Sequence, residues 1–226
     1  MKRILVFDVN ETLLDLAGLD GAFREIFGDA SVRHEWFSQL LQSALVSTVT
    51  GRYADFRAAG RAALEMTAER RAHALTDGDR QKVARAMTDL PPHRDVRPAL
   101  ERLRGEGFRL AALSNSPLAV SGAQLDHSGL RGLFEEVLSA DEVKRLKPAP
   151  EPYRMAAERF LVSPDGIRLI AAHAWDVAGA LAAGCAAAFV ARPGRILDPL
   201  IPRPDVVGAD LGEVAAQILA LENGDR

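Results

Sequence analysis

A doubly wound α/β fold, a parallel sheet carrying a helical insertion, is the class these 226 residues predict. Three observations lead there. Four short runs are apolar throughout and stop at a polar residue: 4–7 before Asp8, 110–113 before Ser114, 169–172 before His173 and 187–191 before Arg192. Runs of this kind mark parallel strands buried on both faces. Stretches with helical periodicity separate them, and alternating strand and helix builds a parallel sheet covered on both sides. Residues 16–90 break the alternation, with several helical patterns and no convincing strand.

The elements follow in order. Residues 4–7 form the first strand and deliver Asp8 at its carboxyl end. Within the insertion, Trp36, Leu40, Leu41, Leu45 and Val49 share a helical face over 35–49, and 56–66 repeats the pattern. Pro91-Pro92 then closes the insertion. Leu100 and Leu103 share one face of a helix over 98–104, which Gly105 or Gly107 can end. The strand 110–113 follows, and the chain then turns after Leu138 toward Lys147. A helix over 150–160 opens on Pro150; the strand 169–172 leads into a helix over 177–183 stopped by Gly184. After the strand 187–191, the run 205–207 is a weaker strand. The expected organisation is a core of residues 1–15 and 91–226 around a helical insertion of residues 16–90.

Composition narrows the function classes. Hydrophobic residues make up 48% and charged residues 26%, as in ordinary globular proteins, which excludes a disordered chain. A single cysteine, Cys185, rules out an intrachain disulfide, and the net charge of -3 gives no electrostatic reason for a nucleic acid or an anionic membrane as partner. No apolar run approaches the length of a membrane span or a secretory signal, so the cytoplasm is the expected location and a small molecule the expected partner. With one cysteine and five histidines a His/Cys metal site is not expected, and chemistry falls to carboxylates, hydroxyls and lysines. His34, His73, His93 and His127 sit in polar contexts and read as surface residues, and Cys185 as a buried structural thiol.

In open parallel sheets, ligands bind at the carboxyl ends of the strands. The strand ends here deliver Asp8, then Ser114 and Asn115, then the segment leading to Lys147, then His173 to Asp176. Phe7-Asp8-Val9-Asn10-Glu11-Thr12-Leu13 resembles the first motif of the haloacid dehalogenase superfamily. Leu113-Ser114-Asn115-Ser116 is similar to its second motif, and Lys147-Pro148 with Tyr153 to its third. Ala171-Ala172-His173-Ala174-Trp175-Asp176 with Gly179 is similar to its fourth, in the form of the type II (S)-2-haloacid dehalogenases. Four motifs in order span almost the whole chain. The resemblance implies a Rossmann-like core, with residues 16–90 as a helical cap domain over the site.

The resemblance also separates branches. Phosphatases of this superfamily carry two aspartates two residues apart in the first motif, the second acting as proton donor. Asn10 stands at that second position and cannot be a carboxylic general acid. The fourth motif holds one carboxylate, Asp176, so the oxygen-rich array that Mg²⁺ needs is thinned, and neither metal nor cofactor is expected. Breaking a carbon–halogen bond needs neither device. The implied chemistry is two-step covalent catalysis: Asp8 displaces halide from a short 2-haloalkanoic acid, and water hydrolyses the aspartyl ester. Lys147 would keep Asp8 ionised. Thr12 and Ser114 would orient Asp8 or the substrate, and Asn115 and neighbouring N–H groups would bind the substrate carboxylate. Asn10 and Tyr153 complete the expected substrate shell, Trp175 forms a wall against the halogen, and Asp176 helps activate water.

Glu11 and His173 are less usual at their positions. A histidine held by a carboxylate is a good general base near neutral pH, so this pair is expected to activate the hydrolytic water. Aligning on Trp36 and on Gly51-Arg52-Tyr53 puts Ser47 where the family carries its halide-binding arginine; either that duty passes to Arg52, Trp175 or His173, or the substrate is not a typical 2-haloacid and carries a small leaving group such as fluoride. Two other readings compete: a phosphatase of a small phosphorylated metabolite, revealed by absolute Mg²⁺ dependence, and a catalytically weak binding protein, revealed by failure to form an Asp8 adduct. Relatives in this branch are often dimers, which makes a homodimer the prior expectation.

Overall fold

The protein is described by a computed structural model over residues 2–223. Six parallel strands run in the order β3-β2-β1-β4-β5-β6. They are β1 (Ile4–Phe7), β2 (Leu110–Ser114), β3 (Glu136–Ser139), β4 (Ile167–Ala171), β5 (Ala186–Val190) and β6 (Val206–Gly208). The weak strand expected near 206 is present as β6, pairing Ala188 with Val206 and Val190 with Gly208. From β1 the chain builds outward to β2 and β3, then returns to place β4 on the other side of β1. The two directions of winding part between β1 and β4, and a crevice opens at such a reversal.

Four helices follow β1 within residues 16–90: α1 (Asp20–Phe27), α2 (Val32–Val49), α3 (Phe56–Arg70) and α4 (Asp77–Thr88). Thr76 and Asp79 close a reciprocal capping box at the start of α4. The chain comes back beside its point of departure, with the Asp15 N–H donating to Pro91 O and the His93 N–H to Leu13 O. Five further helices complete the layers: α5 (Val96–Gly105), α6 (Leu118–His127), α7 (Pro150–Arg159), α8 (Ala174–Ala182) and α9 (Leu211–Asn223). The helices expected from periodicity are all there, mostly with longer ends. α8 starts at Ala174 rather than 177, so Trp175 and Asp176 lie in its first turn.

Alternation along β1 splits the core in two. Leu5 and Phe7 join an apolar cluster with α5 and α9 and with Trp36, Phe56, Leu64 and Val83 of α2, α3 and α4. Ile4 and Val6 face the opposite side, against Tyr153 and Ala156 of α7 and Val177 and Ala180 of α8. The helices after β1 therefore share one apolar core with the sheet. Among the described residues no helix is long and apolar enough to cross a membrane.

Candidate active site

The strand ends converge as their polar residues suggested. Asp8, at the end of the central β1, is 5% exposed, and Lys147 and Asp176 are 2% and 0% exposed. Lys147 Nζ lies between the two carboxylates, 2.9 Å from Asp8 Oδ1 and 2.6 Å from Asp176 Oδ2, and donates a third bond to Leu113 O at 2.9 Å. Three donors on one ammonium meet three acceptors, which satisfies this buried cation completely. Burial alone would depress its pKa, but Asp176 and Asp8 outweigh that and hold it above the usual lysine range. Asp176 moves the other way. Burial lifts it to about 6, with the Asp8 charge adding to the rise and Lys147 opposing it.

Each member is held from behind. Thr12 Oγ1 donates to Asp8 Oδ2 at 2.7 Å and accepts the Ala172 N–H at 2.9 Å, tying the first motif to β4. Tyr153 Oη donates to Asp176 Oδ1 at 2.6 Å. Burial beside Asp176 pushes that phenol well above its usual pKa, so it remains a donor. Asn115 grips the Lys147 backbone at both ends, accepting its N–H at 2.7 Å and donating to its carbonyl at 3.2 Å. Gly179 lets α8 close on this group: a Cβ there would meet Tyr153 Oη at 2.5 Å and the Pro148 carbonyl at 2.8 Å.

Several expected substrate contacts turn out differently. Tyr153 is 1% exposed and holds Asp176 rather than a ligand. Ser114 Oγ accepts the Ser116 N–H at 3.0 Å and makes no bond to Asp8. Asn10 is directed sideways, donating to Ser116 Oγ at 3.4 Å and accepting from Gln124 Nε2 at 3.1 Å. Asn115 lines a small cavity of about 10 Å³ with Leu41, Ala44, Leu45, Lys147 and Trp175, while its amide is spent on Lys147. The indole N–H of Trp175 is buried with no acceptor. A buried, unpaired donor beside a cavity is costly and marks a place where a ligand atom is wanted.

Ser47 does not face the site. Its hydroxyl donates to Arg52 O at 2.7 Å and accepts the Ala54 N–H at 2.9 Å, stitching the turn after α2, and Arg52 is exposed. The α2 residues at the cavity are apolar, Leu41, Ala44 and Leu45, and Phe37 lies against the His173 ring at 5.9 Å. Trp175 also stacks on that ring, with the centroids 5.1 Å apart.

Glu11 and His173 do meet, with His173 Nε2 3.2 Å from Glu11 Oε2. Burial drives His173 down to about 4, the cations Arg195 and Lys147 lowering it further against the pull of Asp8, so the ring is neutral at physiological pH. It also hydrogen-bonds to the Asn10 backbone. Burial raises Glu11, and Arg195 offsets part of that rise by pairing with its other oxygen.

Arg195, Arg192 and His93 were not read from the sequence as part of this region. Arg192 donates to Thr12 O at 2.9 Å and to Asp95 at 2.8 Å, pinning the loop that carries Thr12. His93 Nε2 lies 3.1 Å from Glu11 O, which corrects its reading as a surface residue. The pointer to Arg195 was present: Pro193-Gly194 directly after the strand end at Arg192 is a turn, and it folds Arg195 back over the site.

Comparison with known proteins identifies the relatives of this arrangement. A family model described as haloacid dehalogenase-like hydrolase matches residues 2–184. The haloacetate dehalogenase H-2 of a Moraxella species is 32% identical over 211 residues, covering 91% of this chain and 93% of that protein. The (S)-2-haloacid dehalogenase H-109 of Pseudomonas putida is 28% identical, with 95% and 97% covered. The crystal structure of an L-2-haloacid dehalogenase superposes with a TM-score of 0.92 at 25% identity, covering 97% of this chain and 99% of that one. With four motifs in order, a buried Asp–Lys–Asp centre and a family match over most of its length, the chain belongs to the haloacid dehalogenase-like hydrolases.

Proposed function

We propose that the protein hydrolyses the carbon–halogen bond of short 2-haloalkanoic acids, with Asp8 as nucleophile. The observation that carries this reading is the lysine shared between Asp8 and Asp176 in a site closed to bulk water. An Asp8 carboxylate paired with Lys147 and stripped of hydration is a competent SN2 nucleophile, and the halide leaves as a stable anion without protonation. Thr12 fixes one oxygen and Lys147 the other, which holds the carboxylate in one orientation for attack on the substrate carbon. Asn10, which cannot act as a carboxylic acid, removes the proton donor a phosphate-ester leaving group would require.

The residues from 16 to 90 act as a cap in this reading. A cavity of about 10 Å³ has room for one water, not for a haloacid. Substrate therefore reaches Asp8 by displacement of α2, and its return expels water. Trp175 then offers its free N–H, and Leu41 and Leu45 an apolar wall, to the halogen. The first step releases halide and leaves the acid esterified on Asp8. In the second, water attacks the ester carbonyl while the Glu11–His173 pair takes its proton, exchanging the ring's Asn10 hydrogen bond for one to water. Asp176, lifted to about 6 and held by Lys147 and Tyr153, orients the same water.

Halide release from chloro-, bromo- and fluoro-acids, measured with and without chelator, tests the activity. Single-turnover hydrolysis in ¹⁸O water tests the route: label is expected in Asp8 first. Label entering the product hydroxyl directly would exclude the ester. His173→Ala is expected to release one halide per active site and then stall as the ester, visible as an increase in the mass of the intact chain. Full steady-state turnover by that variant would remove His173 from the mechanism.

A further inference from the structure

Each catalytic cycle on this route leaves one surplus proton in a closed site. Water bonds to Asp8 Cγ and gives a proton to His173; the Cγ–O(alkyl) bond breaks, and the departing alkoxide takes that proton back to become the hydroxy acid. Asp8 is left as a carboxylic acid, and its proton must leave before the next substrate is attacked. Lys147 has all three donors committed and accepts nothing.

Exposure rises stepwise away from the centre through three side chains: His173 at 4%, Glu11 at 10% and Arg195 at 28%. Glu11 bridges the ends. One carboxylate oxygen pairs with Arg195, while Oε2 is buried, lies 3.2 Å from His173 Nε2 and has no hydrogen-bond partner of its own. The backbone is bent to put it there. Glu11 has φ 65°, a left-handed conformation that a residue with a Cβ adopts at a cost of about 1 kcal/mol. The Glu11 N–H donates to Leu14 O at 2.8 Å, and Glu11 O faces His93 Nε2 at 3.1 Å, which holds that conformation. Glycine would sit there without strain, so the carboxylate is what the strained position supplies.

We propose that Glu11, touching His173 at its buried end and positioned by Arg195 at its outer end, is the exit through which the proton of each ester hydrolysis reaches solvent. The inference rests on the ester route above. The proton passes from Asp8 through His173 to Glu11 Oε2 and exchanges with water beside Arg195, leaving Asp8 and Glu11 ionised and His173 neutral. The charged and titratable groups facing Glu11 are Arg195 from the loop after β5, Arg33 from α2, Asp8 from β1, His173 from the turn after β4 and His93 from the segment before α5; His34 lies beside Arg33 and Arg195. Arg195 is the cation whose loss would let burial hold the proton on Glu11.

The test separates the two chemical steps. In Glu11→Gln the first-turnover halide burst is retained while steady-state kcat falls, roughly 10- to 100-fold, with KM little changed. Added imidazole restores kcat in proportion to its concentration, whereas the parent enzyme is insensitive to it. In Arg195→Met the acid limb of the kcat profile moves to higher pH, and Arg195→Lys returns it. A Glu11→Gln variant with parental kcat overturns the proposal, and so does a loss that imidazole does not relieve, since that marks a structural role. A parent protein that releases no halide from any acid instead overturns the reading on which the proposal stands.

Discussion

Asp8→Asn is expected to abolish turnover while leaving the protein at least as stable as the parent. The centre holds two carboxylates and one ammonium, all nearly or fully removed from solvent. That is one negative charge in excess, and its cost is visible at Asp176, which burial and the neighbouring Asp8 lift to about 6. An asparagine at position 8 keeps the shape, lets its amide oxygen accept from Lys147, and turns Thr12 from donor to acceptor. It removes the excess charge, so Asp176 settles lower and the repulsion between carboxylates disappears. Activity behaves oppositely, because an amide cannot displace halide. The loss is about 10⁴-fold or more, the scale on which removal of a covalent nucleophile acts. Halide release and a thermal melt on the same preparation check both halves. A halide burst in the variant would mean that another group attacks the substrate; a large fall in Tm would mean that Asp8 is structural. Loss of activity with retained stability is the signature of a site whose charges are arranged for chemistry at the expense of the fold.

The parts of this site that were legible in the sequence are those set by strand periodicity. An apolar run that stops at a polar residue states where a strand ends, and in a parallel sheet strand ends share one edge. Asp8, Lys147 and Asp176 met for that reason. Thr12 was legible too, because four residues of tight turn carry it back onto the Asp8 carboxylate. What sequence spacing could not supply was direction. Asn115 and Tyr153 lie in the motifs, yet their polar atoms hold Lys147 and Asp176 rather than face the cavity. Asn10 is turned toward Ser116 and Gln124 by the path of α6, which no local pattern encodes. The comparison that singled out Ser47 counted residues along a helix. The face of α2 that meets the site is set instead by how it packs, and it brings Phe37, Leu41, Ala44 and Leu45 there while Ser47 closes a turn. Long arginines escaped for a related reason. Arg192 and Arg195 reach back across the sheet edge to Thr12 and Glu11, contacts separated by 180 and 184 positions.

Lys147→Met is expected to damage stability and activity together, and its stability defect should depend on pH with a definite sign. Methionine fills most of the space but leaves Asp8 and Asp176 facing each other in a closed site with no cation, and Leu113 O without its donor. Removing one partner of a buried ion pair costs about 3–5 kcal/mol, which for a chain of this size lowers Tm on the order of 10 °C. The protein can relieve part of this by protonating one carboxylate. The folded-state pKa of that group then lies above its unfolded value, so the variant regains stability below the ordinary carboxylate range and loses it as pH rises toward the raised folded-state value. The gap in Tm between parent and variant is therefore narrow in mild acid and widest at neutral pH. Activity falls at the same time, roughly 10²- to 10³-fold, the effect of removing one preorganised charge from an active site. Part of that loss reflects the shared proton, since an Asp8 that carries it cannot attack. The decisive measurement is the Tm difference as a function of pH. A gap that stays constant from acid to neutral would show that Lys147 acts through packing alone, and that the charge between the two carboxylates is not what holds this centre ready.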